Sequence, residues 1–144
     1  MILLDANLLL YAKFSDLPQH DVTHKWLQER LSGSSRIGIP WHSSVAFLRI
    51  STNPRIFSTP LGIREAWKQM AEWLDHPLVW IPEPTQDHQT VLARILQETQ
   101  ATANLVSDAH LAAIAIEHGL TLCSADSDFA RFSELSWLNP LKPT

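Results

Sequence analysis

One cysteine, Cys123, is too few for a disulfide framework in this 144-residue chain and predicts a reducing compartment. Only four glycines are present, and none builds the phosphate-cradling loop of a nucleoside-triphosphate enzyme. Long apolar runs are missing too: no stretch approaches the roughly 20 residues that span a bilayer. Met1–Leu4 has no basic flank and meets Asp5 at once, so a signal peptide is not expected and a cytoplasmic location is. Positive charge is scarce. Eleven Lys and Arg against 15 Asp and Glu leave a net charge of −4, which disfavours a passive nucleic-acid coat. A nuclease is compatible with it, because acids grouped around bound cations contribute to that charge. His42, His88, His110 and His118 have no zinc-ligand spacing such as H-E-x-x-H and read as surface or packing residues.

What is present is patterning. Apolar residues make up 45% of the chain, enough for one domain over residues 1–144. Ile2–Leu4, Arg36–Pro40, Leu78–Ile81 and Leu120–Ser124 read as short strands, with Leu135–Leu141 as a final edge strand. Helices are expected over Asn7–Phe14, Asp21–Leu31 (stripe Val22, Trp26, Leu27), Ser43–Ile50, Asp87–Thr99 and Asp108–His118. A further helix, entered through Thr59-Pro60, would bury Ile63, Trp67, Met70 and Leu74. Helices alternating with buried strands predict an α/β sandwich with a mainly parallel sheet.

The chemistry rests on acids at strand ends. Asp5 follows the first strand directly, where open α/β sheets place ligands, although it could serve only as a helix cap. Asp108 is expected at a helix start capped by Ser107, where the dipole would favour its charged form; it could be only a first-turn acid. Asp126 and Asp128 follow the last core strand, and a turn could bring both to one point. Asn7 reads as a supporting amide, and Ser124 as a hydroxyl that orients a water or another ligand. Clustered hard oxygen donors suit Mg²⁺, with Mn²⁺ possible, and such an ion would support hydrolysis of a phosphodiester. Phe129 and Phe132 look like core anchors, and Cys123 like a small buried hydrophobe. Arg49 and Arg55 flank a rigid T-N-P turn, where phosphate contact and plain solvation are both open. Most of the six tryptophans read as core or subunit interface; Trp41 and Trp137 stay open.

The runs L-L-D-A-N-L-L-L-Y-A, F-L-R-I-S-T-N-P-R-I-F, L-V-S-D-A-H-L-A-A-I-A-I-E-H-G-L-T-L-C-S-A-D-S-D-F-A-R-F and W-L-N-P-L together resemble the PIN-domain ribonuclease toxins of bacterial type II toxin–antitoxin pairs, the VapC type. The resemblance implies a three-layer α/β/α sandwich with metal held by Asp5, Asp108 and Asp126, and with Asp128 also in the catalytic set. It further implies Mg²⁺-dependent endonuclease activity on structured RNA (transfer or ribosomal), a homodimer, and a cognate antitoxin. One departure stands out: the family's E-F-L-R run is A-F-L-R here, placing Ala46 where a glutamate is common. Two other readings stand beside the nuclease. One is a weak or inactive PIN protein that binds RNA or antitoxin. The other is a phosphatase with Asp5 as nucleophile, which lacks a second acid at Asn7 and a phosphate-binding lysine.

Overall fold

The computed structural model describes residues 1–142. In chain order the elements are β1 (Ile2–Leu4), α1 (Ala6–Lys13), α2 (His20–Leu31), β2 (Ile37–Gly38), α3 (Trp41–Ser51), α4 (Ile63–Leu74), β3 (Val79–Trp80), α5 (His88–Thr99), α6 (Asn104–His118), β4 (Thr121–Cys123), a 3₁₀ helix (Ser127–Arg131) and β5 (Trp137–Leu138). The sheet runs β3-β2-β1-β4-β5, and every neighbouring pair is parallel. Parallel neighbours need crossover connections, and the helices supply most of them.

Alternation along the strands splits the core in two. Leu3 and Leu122 face α5, α6 and the 3₁₀ helix, in one cluster with Val91, Ile95, Ala109, Ala112 and Phe129. Leu4 and Cys123 face the other way, with Leu8 and Leu9 of α1, Leu27 of α2, Phe47 of α3 and Met70 of α4. This is the three-layer α/β/α sandwich with a parallel sheet. Phe129 and Phe132 are buried as expected, and burial pushes the Cys123 thiol up to about 12, leaving it inert.

Two helix faces differ from expectation. α4 begins at Ile63 after Gly62, without a side-chain cap, so Thr59-Pro60 belongs to the preceding loop. Its buried face is Ala66, Met70 and Trp73, whereas Ile63 and Trp67 are exposed and Leu74 is half-buried. The small Ala66 lets the helix lie close, and Trp73 meets the Phe47 ring edge-on at 5.2 Å. In α2 the inward residues are Thr23 and Leu27, and Val22 is exposed. Strand bounds are also shorter than read, with β2, β3 and β5 reduced to two residues each.

The chain steps from β1 outward to β2 and β3, then returns to place β4 on the other side of β1. Such a reversal opens a crevice at the carboxyl ends of the two strands where it occurs. Asp5 leaves β1 and Ser124 leaves β4 at that crevice.

Phe47 has no solvent exposure and joins α3, α4 and the sheet. Phe47→Ala is expected to lose about 3–5 kcal/mol of unfolding free energy, measured by urea denaturation. A loss below about 1 kcal/mol, within the ordinary range for a surface change, would contradict this packing.

Candidate metal centre

β1 and β4 pair in register, Leu4 opposite Cys123, and the Asp5 N–H donates to the Cys123 carbonyl at 3.0 Å. The two strand ends are therefore fixed relative to one another. Asp5 is the N-cap of α1: its Oδ1 accepts the Ala6 N–H at 2.8 Å, so the capping role is real. Its Oδ2 accepts the Ser124 hydroxyl at 2.7 Å.

Ser124 is fully committed. Its hydroxyl donates to Asp5 and accepts from Asn7 Nδ2 (3.0 Å) and from the Asp126 N–H (3.0 Å). A hydroxyl offers one donor and two acceptor positions, so none is left for the water or external ligand expected from the sequence. Ser124 orients Asp5 instead, and Asn7 orients Ser124. Trp137, which sequence reasoning left open, donates from Nε1 to the Ser124 carbonyl at 3.0 Å and holds the strand end from β5.

Asp126 caps the 3₁₀ helix, its Oδ1 accepting the Asp128 N–H at 2.9 Å. This tight turn brings the two acids to the same point. Asp108, Asp126 and Asp128 each offer a carboxylate oxygen, and these atoms lie within 4.8 Å of one another. Asp5 stands outside that compact trio, yet its charge acts on Asp108 and it feels that of Asp126.

Asp108 departs from its expected setting. α6 starts at Asn104, with Ala103 as an uncapped N-terminus at φ 51°, so Asp108 sits in the second turn and Ser107 caps nothing. Dipole stabilisation fades beyond the first turn. Burial, then the charges of Asp126, Asp5 and Asp128, raise the Asp108 carboxyl from 3.8 to about 6. Asp5 is raised as well: burial and the Asp126 charge outweigh the hydrogen bonds from Ser124 and Ala6. Both carboxyls are raised chiefly by burial, with neighbouring negative charge adding to it, and a divalent cation with oxygen preference matches that donor set.

A second polar cluster adjoins α6, and the sequence spacing concealed it. The Thr85 N–H and hydroxyl donate to Glu117 Oε1 (2.8 and 2.7 Å), and His88 Nδ1 lies 2.6 Å from Glu117 Oε2. Burial would raise Glu117, but the hydrogen bonds from Thr85 and His88 prevail and hold it below the usual range. His88 Nε2 meets His110 Nδ1 at 3.1 Å, and the His110 ring lies 5.3 Å from that of His42. These histidines come from three helices, so no local motif links them. Arg49 lies at the end of α3, lining a groove with His42 and His110. Arg55 lies apart from that groove, in the turn after α3, where its N–H donates to Asn53 Oδ1.

The PIN-domain family matches residues 2–135. Ribonuclease VapC37 of Mycobacterium tuberculosis is 42% identical over 140 residues, covering 97% of both chains. Among solved structures, VapBC2 from Rickettsia felis, bound to a promoter DNA fragment, superposes with a TM-score of 0.71 at 17% identity, covering 96% of this chain and 98% of that one. A toxin–antitoxin complex from Klebsiella pneumoniae gives 0.64 at 18% identity, covering 97% and 98%. The two structural likenesses concern the fold.

A carboxyl whose folded pKa is raised binds its proton more tightly folded than unfolded. Metal-free protein should therefore lose stability as pH rises from about 4 to about 6, the interval between the two Asp108 values. Asp108→Asn should flatten that slope and raise the metal-free Tm at pH 8 by about 2–4 °C for each kcal/mol of repulsion relieved. Thermal melts across pH check both, and a lower Tm for the variant would refute the repulsion. In wild type, calorimetric Mn²⁺ affinity should fall as pH drops below about 6, where the ion must displace the Asp108 proton.

Proposed function

The chain belongs to the PIN-domain family, among the VapC proteins, and from that premise we propose that it is a Mg²⁺-dependent endoribonuclease toxin acting on structured RNA. The observation that carries this reading is the Asp108–Asp126–Asp128 cluster at the sheet reversal, with oxygens within 4.8 Å of one another. Asp108 and Asp126, with Asp5, would hold the ion, Asp128 completing the acidic set. A bound divalent ion supplies water activation and neutralises charge developing on the phosphoryl oxygens.

The protein's own residues perform the positioning. Ser124 fixes the Asp5 carboxylate from the side away from its cap, and Asn7 fixes Ser124. The 3₁₀ turn holds Asp126 and Asp128 at one spacing. Burial and the neighbouring acids raise the Asp108 carboxyl to about 6, so below that pH a cation must displace its proton. Asp5, with both oxygens already accepting hydrogen bonds, is better suited to holding an ion than to attacking phosphorus.

Partners follow from the same reading. The solved toxin–antitoxin complex of similar fold supports a cognate antitoxin for this chain, and a homodimer is part of the proposal. No helix among the described residues is long and apolar enough to cross a membrane. A cytoplasmic location is part of the proposal and rests on the single cysteine, which suits a reducing compartment. Transfer or ribosomal RNA is the proposed target class. One observation favours a weaker enzyme that chiefly binds: Ala46 lines the groove beside the site and carries no donor atom.

The test is cleavage of total cellular RNA by purified, antitoxin-free protein with Mg²⁺, Mn²⁺ or chelator. Discrete metal-dependent products are expected, and Asp5→Asn should remove them. Ser124→Ala, which releases Asp5 without deleting a carboxylate, should lower Mn²⁺ affinity or activity by about 10–100-fold. Folded protein that binds RNA without cutting it under either metal would favour the binding-only reading.

A further inference from the structure

The groove between α3 and α6, an open cavity of about 370 Å³, is lined by Trp41, His42, Val45, Ala46, Arg49 and His110. Two links tie it to the acidic crevice. Ser43, in the first turn of α3, donates its hydroxyl to the Leu4 carbonyl at 2.6 Å, one residue before Asp5. His110 follows Asp108 by two positions on α6. The groove and the carboxylates therefore lie at the same end of the sheet, on opposite sides of α6.

Its lining is unusual for solvent-facing helix. Trp41 and Val45, one turn apart, are 45% and 56% exposed, while Ser43, Ser44 and Phe47 take the buried face of α3. Arg49, a turn further along, adds a cation to this aromatic and apolar stripe. Across the groove the rings are held in fixed array: His42 and His110 are tilted by 60°, and His110 and His88 meet edge-on at 86°.

Behind that array stands Glu117, its side chain only 1% exposed. Its carboxylate accepts from Thr85 and His88, and His88 passes the orientation to Nδ1 of His110. Nε2 of His110 then has no hydrogen-bond partner among the described residues. Burying a carboxylate is costly unless it is well bonded. Here the construction yields one oriented nitrogen at the groove.

An RNA strand uses the rings, the cation and the oriented nitrogen of this lining. A π face stacks a base whatever its identity, a guanidinium donates to a phosphate, and the carboxylate crevice across α6 is the proposed cleavage site. A protein helix would cover Trp41 and Val45 but has no need of the oriented His110. We propose that the groove is a nucleotide subsite for the strand whose scissile bond lies at the carboxylates, across α6. One base stacks on Trp41 and His42, a neighbouring phosphate meets Arg49, and His110 hydrogen-bonds the same nucleotide through Nε2.

This proposal rests on the ribonuclease reading, so two assays separate their fates: RNA cleavage with Mg²⁺, and anisotropy of a labelled oligoadenylate with Ca²⁺ in its place. Trp41→Ala is expected to weaken oligoadenylate binding by about fivefold to a hundredfold, with Trp41→Phe restoring most of it. Arg49→Gln should reduce the slope of log affinity against log salt by about 0.7, one phosphate contact on a single strand. Unchanged affinity in Trp41→Ala, while wild type cleaves RNA, would overturn the subsite and leave the nuclease standing. So would a switch from dimer to monomer by light scattering with affinity unaltered, which would make this face a subunit interface. Wild type that neither binds nor cleaves would end the ribonuclease reading and the subsite with it.

Discussion

Like charges at the carboxyl end of a parallel sheet repel, and the rest of this structure can be understood as what holds them there. Asp108, Asp126 and Asp128 bring oxygens within 4.8 Å of one another, with Asp5 close enough to raise Asp108 further. Among the described residues no Lys, Arg or His forms an ion pair with these three acids. The protein withstands the repulsion because each acid is attached to an element anchored in one of two cores. Asp5 and Asp126 are also caps, so the backbone N–H groups they accept offset part of the cost. A site of this kind is expected to reduce stability, as functional sites commonly do.

The arrangement depends on register. A one-residue slip between β1 and β4 would exchange the faces of Leu3 and Leu4 and mix the two cores, so their pairing is strongly specified. Ser124 converts that register into a side-chain geometry. Sitting one residue beyond β4, it reaches the acid one residue beyond β1, and its remaining lone pairs bind Asn7 and the Asp126 backbone. A single hydroxyl thus joins the ends of two strands, the start of α1 and the entry to the 3₁₀ turn.

Long periodic helices and buried apolar strands were legible in the sequence and sufficed for an α/β sandwich with a parallel sheet. The acids at strand ends were legible too, and the fold gathers Asp108, Asp126 and Asp128 with Asp5 outside the trio. The parts that depart from the sequence reading each have their own physical reason. Thr23 and Ala66 take buried positions that hydropathy assigns to Val22 and Trp67, because small side chains let helices approach. The start of α6 carries no capping residue, so Ser107 offered a false boundary. No local pattern marks the Glu117–His88–His110 chain, whose linked members are 29 and 22 residues apart. Only the packing of α5 against α6 makes them neighbours, and no spacing rule applies across two helices.

That same helix, α6, connects the two polar assemblies. Successive helical residues turn by about 100°, so Asp108 and His110 point to nearly opposite sides. Asp108 faces the carboxylate crevice, whereas His110 lines the groove against α3. Between and beyond them, Ala109, Ala112 and Ala113 are wholly buried, and their small side chains press α6 closely onto the sheet. A larger side chain at any of the three would push α6 outward and displace both polar groups at once, because interiors at this density do not absorb added volume locally. The alanine face therefore sets the distance between the acids and the groove wall. It is what allows an ion held on one side of α6 and a nucleotide held on the other to keep a constant separation.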